Sequence, residues 1–191
     1  GSLLAISQAN SGQIRLWDVE NGEFLEGFTG PEDDVVGIDF SPDGTQLAWG
    51  SFDGSIRILD LGTFELALTI EEAHDRVWDV DFSPNGNFIV STGFDGRVAL
   101  WSTRSGDEVM SQEISSGLRH YGIEYSNDGD LIAFASADAV VRIWDVRNNS
   151  VAVLPRENID VVFDVAFSPD DTLLATGDRY GSIIVWALEN E

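Results

Sequence analysis

The chain has 191 residues, 43% of them hydrophobic and 10% aromatic, enough for a sizeable core and too apolar for a disordered chain. Its 34 acidic residues face 10 basic ones, all Arg, for a formal net charge of −24. That balance argues against nucleic acid or anionic membrane as a partner, and the lack of Cys removes disulfide and thiolate chemistry.

Gly1-Ser2 reads as a cloning remnant. The alternation of apolar and polar residues with period two, broken by turns rich in Gly, Asn, Asp and Pro, predicts short β-strands throughout. Leu3–Ser7 and Ile14–Trp17 form a hairpin around Asn10-Ser11-Gly12, and Phe24–Phe28 follows Asn21-Gly22. The next unit runs Val35–Phe40, Gln46–Ser51, Ser55–Leu59 and Glu65–Ile70, with Ser41-Pro42-Asp43-Gly44 as its first turn. Val77–Trp101 holds three strands and Glu108–Glu113 a fourth. Tyr121–Tyr125, Leu131–Ser136, Val140–Trp144 and Ser150–Leu154 repeat the plan, and Val161–Phe167, Leu173–Gly177 and Ser182–Trp186 close the chain. No helix, linker, low-complexity segment or apolar run long enough to cross a membrane stands out.

The plan has a fixed period. The first-turn serine recurs as Ser41, Ser83, Ser126 and Ser168, and the residue closing the third strand as Trp17, Leu59, Trp101, Trp144 and Trp186, at spacings of 42 or 43. A period of this length means one supersecondary unit stacked several times, none able to bury its own apolar face. Counting strands gives units over about 3–28, 35–70, 77–113, 121–154 and 161–186. The first unit lacks its inner strand and the last its outer one.

Four-stranded units of this length, with Trp-Asp at Trp17-Asp18 and Trp144-Asp145 and a Ser-Pro-Asp-Gly turn at Ser41–Gly44, resemble the WD-repeat β-propellers. The resemblance implies an all-β propeller of five four-stranded WD-type blades, the first and last incomplete, in one domain or fragment over 1–191. Family propellers usually have seven blades. The chain is therefore expected to be an open arc, a ring completed by a partner, or a fragment of a larger propeller, and exposed terminal faces invite self-association.

The resemblance also implies a buried hydrogen-bond network in the third unit, formed by His74, Ser91, Asp95 and Trp101. Elsewhere the network is expected to be broken. Glu32, Gly117 and Ile159 stand at the His position, and Ser11, Asp53, Asp138 and Tyr180 at the Asp position. His120 is expected to be a partly exposed edge residue.

In the family, partner contacts concentrate on the narrow top rim. The matching positions here are Val36, Trp78, Tyr121 and Phe163 at the strand starts, and Asp34, Arg76, Arg119 and Val161 two residues earlier. Asn10, Phe52, Phe94, Ala137 and Arg179 precede the hairpin Asp position. The expected partner-binding set is Trp78, Tyr121, Phe163, Phe52, Phe94, Arg76, Arg119 and Arg179. Aromatics and Arg are the residue types enriched at binding hot spots, and Arg76 and Arg119 suit a carboxylate or phosphate.

Enzymatic signals are thin. Two histidines and no Cys make no zinc site, and neither a G-x-S-x-G elbow nor a phosphate-cradling G-x-x-x-x-G-K motif occurs. Asp39, Asp81 and Glu124 in one row, with Asp79 and Asp164 in another, would line a central channel; they are read as solvated channel residues, with a Ca²⁺ or Mg²⁺ site as the sharper alternative. The reading carried forward is a non-catalytic scaffold for a protein or peptide, with no cofactor and no metal. A propeller fragment without its own activity is the first alternative, and a metal-dependent hydrolase using channel carboxylates the second. No signal peptide is visible, and a cytoplasmic location is favoured. The acidity fits plain solubility or adaptation to high salt.

Overall fold

A computed structural model describes residues 2–8, 12–29, 33–155 and 160–188. Among them there are eighteen β-strands and no helix. The first sheet holds β1 (Leu3–Gln8), β2 (Gln13–Asp18) and β3 (Glu23–Thr29). The second holds β4 (Val35–Phe40), β5 (Gln46–Ser51), β6 (Ile56–Asp60) and β7 (Glu65–Ile70). The third holds β8 (Val77–Phe82), β9 (Phe88–Gly93), β10 (Arg97–Ser102) and β11 (Glu108–Glu113). The fourth holds β12 (His120–Tyr125), β13 (Leu131–Ser136), β14 (Val141–Asp145) and β15 (Ser150–Val153), and the fifth β16 (Val162–Phe167), β17 (Leu173–Asp178) and β18 (Ile183–Ala187). Every sheet is an antiparallel meander in chain order, so each pairing needs only a short turn. The strand count is the one expected, 3, 4, 4, 4 and 3.

The core is not central but divided among the junctions between sheets. Ile14 and Leu16 of the first sheet pack on Leu47, Trp49 and Leu59 of the second. Ile56 and Ile58 of the second meet Val80, Phe82 and Trp101 of the third. Val98 and Leu100 of the third meet Ile132, Phe134 and Trp144 of the fourth. Ala133, Val141 and Ile143 of the fourth meet Val165, Phe167 and Leu174 of the fifth. The second-position strands of the three middle sheets are thus covered on both faces. β5, β9 and β13 are buried at every residue after the first, where period-two alternation alone predicts one solvated face. The first and last sheets do not pack on one another, and the ring stays open. The open ends show apolar residues: Leu4 and Ile6 at one, Ile183 (76% exposed) and Val185 at the other.

β4, β8, β12 and β16 lie side by side at the inner edge of the arc. An edge strand has backbone N–H groups without partners in its own sheet. Here carboxylates of the neighbouring inner strand take them. Asp39 accepts from Phe82 N at 2.8 Å, Asp81 from Tyr125 N at 2.7 Å, Asp79 from Ile123 N at 3.2 Å, and Glu124 from Phe167 N. The acidic rows are therefore stitches between sheets as well as channel lining. The fit is close: a Cβ at Gly37 would lie 2.5 Å from Asp79 Cα, and one at Gly122 would lie 2.8 Å from Asp164 Cα. Gly37 and Gly122 leave the space the facing Asp needs.

This arrangement raises carboxyl pKa values. Burial pushes Asp79 up to about 7, with the charges of Asp164 and Asp39 adding to it. Burial and the adjacent Asp39 push Asp81 up to about 8; burial also raises Asp39 and Glu124. A carboxyl raised in the folded state holds its proton more tightly than in the unfolded chain. Its stabilising contribution is complete below the unfolded value near 4 and is lost as pH rises through the folded value. His120, lowered to about 4, acts with the opposite sign, but only below its ordinary value of 6.5. The carboxyl effect is therefore isolated above pH 6.5. We expect Tm to fall between pH 6.5 and 8.5, and Asp81→Asn to raise Tm at pH 8.5 more than Asp75→Asn, which removes an exposed carboxylate. Equal effects of the two substitutions would refute the raised pKa of Asp81.

Candidate functional site

The inner strands carry a bulge at a repeating place. Pairing jumps between Val35 and Ile38, Val77 and Asp79, His120 and Ile123, and Val162 and Asp164. The residues left over include Val36, Trp78, Tyr121 and Phe163, the four strand-start positions. A bulge re-aims the extra side chain, and here three of the four are aromatic. A second repeating device holds the neighbouring positions. Phe52 N donates to Asp34 O (2.9 Å), Phe94 N to Arg76 O (3.2 Å), Ala137 N to Arg119 O (3.0 Å) and Arg179 N to Val161 O (2.9 Å). Each bond ties the loop before an inner strand to the hairpin turn of its own sheet.

Together these devices gather the second to fifth sheets' rings into one patch. Trp78 stacks on Phe94 with centroids 5.5 Å apart and lies 5.8 Å from Phe52. Tyr121 meets Trp78 edge to face at 5.0 Å and Phe163 at 5.1 Å. Arg76 Cζ sits 5.5 Å from the Phe52 centroid and Arg119 Cζ 4.8 Å from that of Phe94, so each Arg reaches back over the preceding sheet's ring. Phe52, Trp78 and Phe94 are half-buried and Phe163 is 40% exposed.

Two expected rim residues behave differently. Tyr121 is only 8% exposed, because Trp78 and Phe163 cover it; it supports the patch from beneath and is corrected from a contact residue to a packing one. Arg179 is exposed in the turn after β17 and joins no ring or ion pair among the described residues. Asn10, Ser11, Glu32 and Ile159 lie outside the described residues.

The third-sheet quartet is hydrogen-bonded throughout. His74 Nδ1 lies 2.9 Å from Asp95 Oδ2, His74 Nε2 lies 2.8 Å from Ser91 Oγ, and Trp101 Nε1 donates to the same Oγ at 2.8 Å. With its proton on Nδ1, His74 donates to Asp95 and accepts from the Ser91 hydroxyl. Burial acts to raise the Asp95 carboxyl, but the hydrogen bonds from His74 and from Arg97 N, with the Arg97 charge, outweigh it and hold the group below its ordinary value.

His120 is not an exposed edge residue. It is fully buried, bonded through Nδ1 to Ser136 Oγ at 2.8 Å and edge-on to Phe134 at 5.3 Å. It stands where the other inner strands have Val35, Val77 and Val162, all buried, and burial drives its pKa down to about 4. The Asp positions of the second and fourth sheets are not orphaned either. Arg57 pairs with Asp53 at 3.1 Å, and Arg142 with Asp138 at 2.6 Å while also donating to Ser136 Oγ. Both Arg precede the strand-closing residue by two, where the third sheet has Ala99. The same spacing is legible in the sequence, as Arg15, Arg57 and Arg142.

Most inner-strand carboxylates are engaged by backbone N–H groups, and no cluster of three or more His, Asp or Glu able to hold a metal ion occurs among the described residues.

The family model for "WD domain, G-beta repeat" matches this chain at residues 22–60, 65–102, 116–145 and 149–187. A WD repeat-containing protein of Schistosoma mansoni, SL1-17, is 28% identical over 153 residues, covering 80% of this chain and 50% of that protein. The transcriptional corepressor LEUNIG_HOMOLOG of Arabidopsis thaliana is 37% identical over 62 residues, 32% of this chain and 8% of that protein. The chain thus spans half or less of these relatives' length. Three of the four matched segments begin in or just before an outer strand and end on the third strand of the next sheet, so sequence repeat and sheet are out of phase by one strand.

His74→Ala would remove one hydrogen bond from Ser91, which keeps Trp101 Nε1 as donor, and a charge-assisted one from Asp95, which keeps Arg97 N, at a cost of about 0.5–1.5 and about 1.5–3 kcal/mol respectively. We expect Tm to drop by at least about 4 °C in thermal denaturation; an unchanged Tm would show the quartet to be dispensable.

Proposed function

This chain belongs to the WD40-repeat family, and on that premise we propose that it is a non-catalytic scaffold that docks a peptide or protein segment on the patch formed by Phe52, Trp78, Phe94 and Phe163 over Tyr121. The observation that carries the reading is the ring cluster. Four sheets each direct an aromatic to one place, three of them through an inner-strand bulge, and all of these rings but Tyr121 stay partly open to solvent. Large aromatic surface held rigid by its neighbours binds at low entropic cost. Rings needed only for the core would gain more from full burial, as Trp49 and Trp144 do. Arg76 and Arg119 add directional donors at the border of the patch.

The scaffold role suits the chemistry at hand. His74 is hydrogen-bonded at both ring nitrogens and the buried His120 at Nδ1, and most inner carboxylates are bonded to backbone. The two Ser–His pairs among the described residues, Ser91–His74 and Ser136–His120, are buried away from any substrate. The transcriptional corepressor among the relatives fits a role exercised through other proteins, and the other relative is named only for its repeats.

Trp78→Ala should reduce capture of a binding partner at least about tenfold, as expected for a hot-spot aromatic, while leaving the far-ultraviolet spectrum of the β-sheets unchanged. Leu66→Ala, on the exposed outer strand β7, should leave capture intact. A partner held equally by both variants would place the docking surface elsewhere.

A further inference from the structure

Among the described arginines, Arg15, Arg104 and Arg179 form no ion pair and lie over no ring, and the other six divide into two groups. Arg57, Arg97, Arg142 and Arg147 each pair with a carboxylate within 3.1 Å. Arg76 and Arg119 do not pair with one among the described residues, although the chain has 34 acidic residues to offer. Both are exposed, and both lie over aromatic rings whose centroids are 5.8 Å apart. Stacking on a ring leaves the guanidinium's N–H edge free and fixes its plane. Two oriented, unneutralised guanidinium groups thus border an apolar floor.

Resting on the docking reading above, we propose that the patch selects an acidic peptide segment: an apolar side chain on the Trp78–Phe94 floor and a neighbouring carboxylate taken by Arg76 and Arg119. Charge complementarity fixes the class. With a net charge of −24, most of the protein's surface attracts cations and repels anions. At this border two guanidinium groups without an ion pair stand against that field, and at physiological salt charges farther off are screened within roughly 8 Å. A basic segment would meet two like charges here; a neutral one would leave both guanidinium groups without new partners. A carboxylate gives each a fork of matching geometry. The border has a direction as well. The chain positions equivalent to Arg76 and Arg119 are Asp34 in the second sheet and Val161 in the fifth. The two guanidinium groups reach back over the rings of the second and third sheets, and a bound segment would place its carboxylate there, with apolar residues extending toward Phe163.

The test uses two matched sets of fluorescein-labelled peptides, each with a Leu or Trp core, flanked by Glu in one set and by Gln in the other. Fluorescence anisotropy with the wild-type chain should show Glu peptides binding about tenfold or more tighter than their Gln counterparts, the scale of a charge-assisted hydrogen bond. The double variant Arg76→Gln/Arg119→Gln, altered only at exposed side chains, should erase that difference. Arg104→Gln, exposed in the turn before β11, should preserve it. Trp78→Ala should weaken both sets. Gln peptides binding as well as Glu peptides, with loss on Trp78→Ala but not on the double Arg change, would overturn the acidic preference and leave the docking surface standing. A preference for Glu that survives the double Arg change would overturn the assignment of Arg76 and Arg119. No binding by either set would overturn both readings.

Discussion

Each inner strand has one edge that its own sheet cannot satisfy, and the neighbouring sheet satisfies it. Asp39, Asp79, Asp81 and Glu124 reach across to backbone N–H groups at Phe82, Ile123, Tyr125 and Phe167. The bonds repeat with the unit period, so the angle between successive sheets is set by chemistry as well as by packing. They also explain why an acidic chain tolerates carboxylates crowded at one edge. Burial and mutual repulsion raise their pKa values, which favours protonation over the build-up of like charge.

Apolar packing follows from the same stacking. Because each junction between sheets is its own core, a unit is stable only with a neighbour on either side, as repeat architectures require. The offset between sequence repeat and sheet strengthens this: a repeat supplies the outer strand of one sheet and the inner three of the next, so adjacent sheets are joined covalently as well as by contact. At the two ends that support stops, and Leu4, Ile6, Ile183 and Val185 show what a junction face looks like uncovered. At Gly177, on the open face of the last sheet, an added Cβ meets nothing. At Gly50, its counterpart in the second sheet, one would lie 3.0 Å from the Cβ of Val77.

The patch arises where these constraints relax. The bulge releases one residue per inner strand from sheet pairing, and the bonds from Phe52, Phe94, Ala137 and Arg179 to the preceding loops fix the backbone beside it. Side chains at such places are positioned by a rigid frame yet not consumed by it, which is what recognition needs. Where the unit chemistry changes, so does the local wiring. His120 in a valine position takes Ser136 as its partner, and Arg57 and Arg142 replace the histidine that only the third sheet has at the network position.

The sequence by itself determined the number of strands, their grouping into five units and the type of fold, because period-two alternation, turn residues and a repeat of 42 or 43 residues are local signals written along the chain. It also marked Trp78, Phe94, Phe52 and Phe163 as a candidate set. Only the tertiary structure decided which of them face solvent, since that depends on what the adjacent sheet lays over each ring: Tyr121 is covered by its neighbours and Phe163 is not. The same holds for His120, whose polarity suggests exposure while its position commits it to a junction, and for the acidic rows, whose bonding partners lie about one full repeat away along the chain.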